Sequence, residues 1–171
     1  QKDVGMVGAK LYYPDDTIQH AGVVVGLGGV AAHVLCKLPR DAEGYMGRLR
    51  CVQEISAVTA ACMMVKTSVF KAVGGFDEEL KVAFNDIDLC MKVRKYGVKI
   101  VFTPYAELYH YESKSRGMED TPEKQLRFSR EVNCFRRKWE RELLKGDPYY
   151  NPNLTLNNTD CSLRKQEKNG D

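Results

Sequence analysis

The acidic run Asn85-Asp86-Ile87-Asp88 and the histidine at position 110 are the residues of this 171-residue chain whose types and placing could do chemistry. Carboxylates and imidazoles move protons and bind metals, and Asp86 and Asp88 together spell Asp-x-Asp. The run opens an amphipathic segment, however, in which Leu89, Val93 and Tyr96 are spaced four and three apart and Gly97 supplies a left-handed stop. This spacing predicts a helix over 86–96. Two residues on a helix are ~200° apart, so the two carboxylates point to opposite faces and cannot share one ion. Read from the residues alone, Asp86 caps the helix, since its oxygen can accept from the free amides of the first turn. The helix start also favours its ionised form. His110 follows a stretch that reads as a strand end, and a lone histidine there is usually structural. A carboxylate at a helix start and a histidine at a strand end are thus expected in one neighbourhood.

The elements that must position them are legible as a β-rich first half and a helical second half. Val4 to Tyr13 reads as a strand ended by Pro14-Asp15-Asp16, and Gly22 to Leu27 as a buried strand. Gly26 and Gly28-Gly29 open a long irregular stretch through Arg50, of the kind that is functional or mobile in a compact domain. Its glycines lack the third glycine and the strand-turn-helix frame of a dinucleotide site. Ile55 to Val65 is nearly all apolar and predicts one strand buried on both faces. Thr67 or Ser68 starts a short helix that Gly74-Gly75 closes. Val98 to Phe102 predicts a strand, Pro104 a break, and Ala106 to His110 a second short strand. Thr121 caps a long helix with Pro122 at its first position, and Phe128, Val132, Phe135, Trp139 and Leu143 form one apolar stripe. That stripe is core packing, and Gly146 ends it. Asp147 to Leu156 should lie extended over the surface, and the polar residues beyond Cys161 should fray.

Composition bounds the function. Hydrophobic residues make up 43% and charged residues 29% of the chain, as in a soluble globular domain. The net charge of +3 is too small to argue for nucleic acid. No apolar run approaches the ~20 residues that span a bilayer. The six cysteines are scattered without a C-x-x-C pair, which predicts reduced, buried thiols. His20 and His33 sit among small or apolar residues and read as structural. The chain opens at Gln1 without a basic-then-apolar leader, so no signal peptide is expected, and the absent initiator methionine fits a fragment.

The segments GGFDE, NDIDLC, YG, TPYAELYH and SKSRG, in that order, resemble the second half of the family-2 glycosyltransferases of GT-A fold. DPYYNPNLTL and VGAKLYYPDDTIQHAG extend the likeness, so that it covers roughly residues 4–163. The resemblance implies an α/β fold, the C-terminal half of a three-layer GT-A domain with a mixed sheet. The acceptor-side part would span residues 1–117, a C-terminal helix and wrapping segment 118–160, and a disordered tail 161–171. The family members are inverting enzymes that move a sugar from a nucleotide-sugar donor to a glycan or lipid-linked acceptor, here in bacterial surface or cell-wall polysaccharide synthesis.

The family's site residues carry over one by one. Asp86 matches the general base, in a motif where many relatives have Glu-Asp and this chain has Asn85-Asp86. His110 matches the histidine that completes the coordination of Mg²⁺ or Mn²⁺, and Lys114 and Arg116 could contact phosphate oxygens. Ala60-Ala61 matches a small-residue pair beside the donor sugar and acceptor, with Asn85 adjacent to the substrate. The family's own metal motif lies before Val4, so the nucleotide-binding half is expected to be absent, and the chain inactive alone. The sheet should then expose an edge at the strand that begins near Val4 or at its neighbour, inviting the missing half or self-association. A cytoplasmic place is implied, with peripheral contact at the inner membrane face. The alternative is a non-catalytic interaction or glycan-binding domain derived from such an enzyme.

Overall fold

The computed structural model describes residues 1–111 and 121–165. It is an α/β protein built on a mixed sheet. The central strand is β1 (Val4–Tyr12). On one side it pairs antiparallel with β2 (Ile18–His20) and β6 (Met63–Val65), and on the other it runs parallel to β7 (Lys99–Tyr109). The two-residue β5 (Gln53–Glu54) pairs with the outer side of β7. A separate two-stranded sheet joins β3 (Val23–Val25) to β4 (Ala31–His33). The helices are α1 (Thr67–Ala72), α2 (Asn85–Lys95), α3 (Pro122–Lys138) and α4 (Glu140–Lys145). The strand near Val4 is therefore no edge, because it has partners on both sides. The outer positions fall to its neighbours β2 and β6 and to β5.

Four further expectations are corrected. Ile55 to Val65 is not one strand. Residues 55–58 are buried but irregular, with the Val23 amide donating to Ala57 O at 2.9 Å. Val58 packs where Gly8 has no side chain, since a Cβ on Gly8 would lie 2.3 Å from Val58 Cγ1. Residues 55–58 are thus an inner loop under β1, buried without belonging to the sheet, and only 63–65 of the run join it as β6.

Pro104 does not end β7. Gly8 faces Phe102 and Lys10 faces Glu107, two residues along β1 but five along β7. The surplus forms a bulge around Pro104, where a missing amide costs nothing.

Helix α2 begins one residue early, at Asn85. Its N-cap is Phe84, in left-handed geometry at φ 62° and with no side-chain cap, so Asp86 does not cap it. Leu89 and Val93 are fully buried as the spacing predicts, but Tyr96 lies past the last helical residue and is exposed.

The C-terminal helix breaks at Trp139 (φ −114°, ψ 22°). Its start is as expected, with the Thr121 hydroxyl accepting from the Lys124 amide and Pro122 in first place. Phe135 and Trp139 are buried, whereas Phe128 is 42% exposed. All six cysteines are free thiols. Cys90 is fully buried, and burial pushes its thiol up to about 12. Residues 161–165 pack against the body, with Cys161 buried and Leu163 bridged to Leu154.

Candidate functional site

Three segments converge on Asp86. The first is the α2 start, which sets Asp86 in the first turn. Its Oδ1 accepts from the Ile87 amide at 2.9 Å, and its Oδ2 reaches out of the helix to the Ala60 amide at 3.0 Å. The second is the exposed turn Thr59-Ala60-Ala61, where the Ala61 amide donates to Thr59 Oγ1 at 3.3 Å. The third is β2, beneath that turn. There His20 Nε2 accepts from the Thr59 amide at 3.5 Å. Adjacent amides of one turn are therefore held by Asp86 from the side and by His20 from below.

His20 is wholly buried and sits edge-on to His33, with their Nδ1 atoms 2.8 Å apart. Because Thr59 donates to Nε2, the His20 proton belongs on Nδ1 and is donated to His33. Burial holds His20 well below its ordinary value of 6.5, and the charges of His33 and His110 push the same way. Neutral His20 is thus part of the floor. Its neighbour Gln19 donates from Nε2 to His110 Nδ1 at 2.7 Å, and the His110 amide donates to Tyr12 O at 2.9 Å. A continuous chain of contacts runs Asp86, Ala60, Thr59, His20, Gln19, His110.

The structure thus brings together Asp86, Ala60 and Ala61, with half-buried Asn85 one residue away and His110 at the far end of the chain. Lys114 and Arg116 lie outside the described residues. Gln19, His20 and His33 were not foreseen as parts of the site. The one signal for them was the polar pair Gln19-His20 between Ile18 and the apolar stretch from Ala21, since polar side chains that become buried need partners.

Asp88, two residues from Asp86, is fully buried on the opposite side. It accepts from Trp139 Nε1 at 2.8 Å and pairs with Lys138 at 2.7 Å and Lys92 at 2.9 Å. The helical rotation argument holds: one carboxylate is at the rim and the other in the interior.

No group of three or more His, Cys, Asp or Glu side chains able to hold a metal ion occurs among the described residues. A hard ion such as Mg²⁺ or Mn²⁺ wants about six ligands, mostly oxygen. The lone nitrogen of His110 does not meet that need, so the described residues do not by themselves make a metal centre. An open cleft of about 420 Å³ lies at the other end of α2, against Arg94, Lys95, Trp139 and Tyr149, and is not part of this site. Among the described residues no helix is long and apolar enough to cross a membrane.

The chain is 60% identical over 161 residues to an uncharacterized protein, y4gI, of Sinorhizobium fredii, covering 94% of this chain and 18% of that one. It is 39% identical over 170 residues to the O-antigen biosynthesis protein RfbC of Myxococcus xanthus, covering 99% of this chain and 13% of the relative. A 62-residue stretch, 36% of this chain, is 36% identical to an N-acetylglucosaminyl-diphospho-decaprenol L-rhamnosyltransferase of Mycobacterium tuberculosis, of which it covers 20%. No family model matches the chain, and no solved structure does. The chain spans less than one fifth of the length of the two relatives that match nearly all of it.

Proposed function

We propose that this chain is the acceptor-side half of an inverting glycosyltransferase domain of GT-A type, acting in polysaccharide synthesis with Asp86 as general base. The observation that carries the reading is the placement of Asp86: a half-buried carboxylate at the rim of the exposed turn 59–61, bonded to Ala60. The names of the Myxococcus and Mycobacterium relatives support sugar transfer in glycan assembly. The donor is a nucleotide-sugar and the acceptor a hydroxyl of a glycan or lipid-linked sugar.

In a single displacement the acceptor oxygen attacks the anomeric carbon while the nucleotide leaves with the electrons of the broken bond. The hydroxyl proton must go to a nearby base as the new bond forms. Each Asp86 oxygen accepts one backbone amide and keeps a second lone pair, so the carboxylate is oriented and can still take that proton. Ala60 and Ala61 keep the turn low, which leaves room for a sugar ring beside Asp86. A divalent ion, Mg²⁺ or Mn²⁺, would offset charge on the leaving diphosphate, with His110 as one ligand and oxygen ligands from outside these residues.

The test is Asp86→Asn in the full-length protein that contains this segment. Transfer should fall ~10²–10⁴-fold with donor binding retained. A second reading, a non-catalytic glycan-binding or interaction domain, is favoured by the engagement of both Asp86 oxygens with backbone amides, as in a structural clamp. Transfer at the wild-type rate in Asp86→Asn would remove Asp86 from the role of base, and glycan binding by this segment with no contribution to transfer would establish the second reading.

A further inference from the structure

We infer that Glu131, on helix α3, is a positioning residue for Asp86. The inference rests on the base reading above for its functional consequence, but its geometry stands alone.

Glu131 is 3% exposed and lies 45 positions from Asp86 in sequence. Its two carboxylate oxygens accept from consecutive backbone amides of the segment that leads into α2, Val82 N at 3.1 Å and Ala83 N at 2.9 Å. Arg127, one turn earlier on α3, pairs with the same carboxylate at 3.8 Å. The next residue, Phe84, is the left-handed N-cap of α2, and its ring packs on Phe128 and Phe135 of α3 with centroids 5.8 and 5.4 Å apart. Left-handed backbone at a bulky residue is unfavourable on its own and persists only where its surroundings over-determine it. Here α3 supplies that constraint, through two amides and one ring on three consecutive residues.

The same helix grips α2 again just past Asp86. Lys138, the last residue of α3, and Trp139, which follows it, both reach the Asp88 carboxylate. Asp86 is therefore bracketed. Residues 82–84 on one side and Asp88 on the other are fixed to α3, while Asp86 alone turns outward to Ala60. The entry angle of α2 is set by the left-handed step at Phe84, and the direction of the Asp86 side chain follows from it. A buried carboxylate that spends both oxygens on the amides of one loop is a charge-assisted brace, placed where a hydrophobic side chain would pack but could not orient the backbone.

The experiment uses Glu131→Gln, which keeps the size and one acceptor oxygen, and Trp139→Phe, which keeps the ring and removes the donor to Asp88. Amide hydrogen exchange in the 171-residue chain reads the geometry directly. Loss of a local brace should speed exchange at Val82 and Ala83. A positioning role also requires about tenfold faster exchange at Ala60, whose amide is held by Asp86 and touches neither mutated residue, as one weakened charged hydrogen bond would produce. Trp139→Phe should raise Ala60 exchange in the same sense. In the full-length protein, Glu131→Gln should lower kcat about tenfold with the donor KM unchanged, and Glu131→Gln added to Asp86→Asn should lower it no further than Asp86→Asn alone. Val82 and Ala83 exchange that rises while Ala60 stays protected in both variants would overturn the inference. If Ala60 responds and Asp86→Asn leaves transfer intact, the brace stands and the base reading falls.

Discussion

Gln19 donates to Nδ1 of His110 at 2.7 Å, a pairing that decides which ring nitrogen is available for anything else. In this pairing a neutral ring carries its proton on Nε2, and Gln19 Oε1 is buried without a hydrogen-bond partner among the described residues. If the amide were turned over, Oε1 would accept from Nδ1–H and present the Nε2 lone pair outward, the arrangement of metal-bound histidines. The prediction is that His110 is the Nε2–H tautomer in the metal-free chain and changes tautomer when donor and Mn²⁺ or Mg²⁺ bind the full-length protein. Long-range ¹⁵N–¹H correlations of the imidazole check the first part. Gln19→Leu should weaken metal-dependent donor binding ~10–100-fold. Equal binding by Gln19→Leu and wild type would sever Gln19 from the metal.

The two aspartates of α2 should respond oppositely to the same change. Asp88→Asn leaves Lys92 and Lys138 facing a neutral amide in the interior, and should cost ~3 kcal/mol in urea denaturation. Asp86→Asn touches only the rim and should cost less than ~1 kcal/mol. Similar losses in both would mean that the rim aspartate is as structural as the buried one.

Stability should fall on mild acidification because of His20. Its folded-state value is held below the ordinary 6.5, so the unfolded chain takes up a proton first as pH drops. The contribution is complete above pH 6.5 and is lost as pH falls towards the lowered value, by at most ~1.4 kcal/mol per pH unit. Unfolding free energies at pH 7.5, 6 and 5 should show this slope, and His20→Gln should flatten it while lowering stability at pH 7.5. An unchanged slope in His20→Gln would assign the effect elsewhere.

The contact of Gly8 with Val58 gives a stability test of the inner loop. Gly8→Ala places a methyl 2.3 Å from Val58 Cγ1 and should cost ~1–3 kcal/mol. Val58→Ala should recover part of that loss in the double variant, a coupling that equilibrium denaturation resolves.

Periodicity and end signals located β1, α1, α2 and the start of α3, because each is decided by its own local residues. Thr121 and Pro122 begin α3 by filling the first turn, whatever packs on it. Local signals failed where a distant partner decides. Ile55 to Val58 is as apolar as a central strand, yet the place beside β1 is taken by β2, β6 and β7. Pro104 looks like a terminator, but a strand can carry a bulge when its parallel neighbour continues. The left-handed Phe84 leaves no trace in composition, since the aromatic rings that hold it come from α3. For the site, the resemblance named Asp86 and the Ala60-Ala61 pair, but the hydrogen bond that joins them is legible only in the fold. The Gln19–His110 and His20–His33 pairs could not, because nothing in either strand states its partner across the fold.

The segment that starts at Asp147 has a consequence for how the protein is made. Asp147 binds the Val25 amide at 2.8 Å and Ser56 Oγ at 2.6 Å, across 122 and 91 positions of chain. Arg48 donates to Tyr149 O, Gly28 N to Leu156 O and Leu35 N to Thr159 O. The loop that spans residues 22–50 is therefore tied down by residues translated more than a hundred positions later. On a ribosome adding ~5–20 residues per second, that loop waits several seconds with its apolar side chains uncovered before its strap leaves the exit tunnel. During that interval it depends on chaperones or on its neighbours in the nascent chain. A premature stop just before Asp147 would keep every residue of the 22–50 loop and still leave it without its fastening.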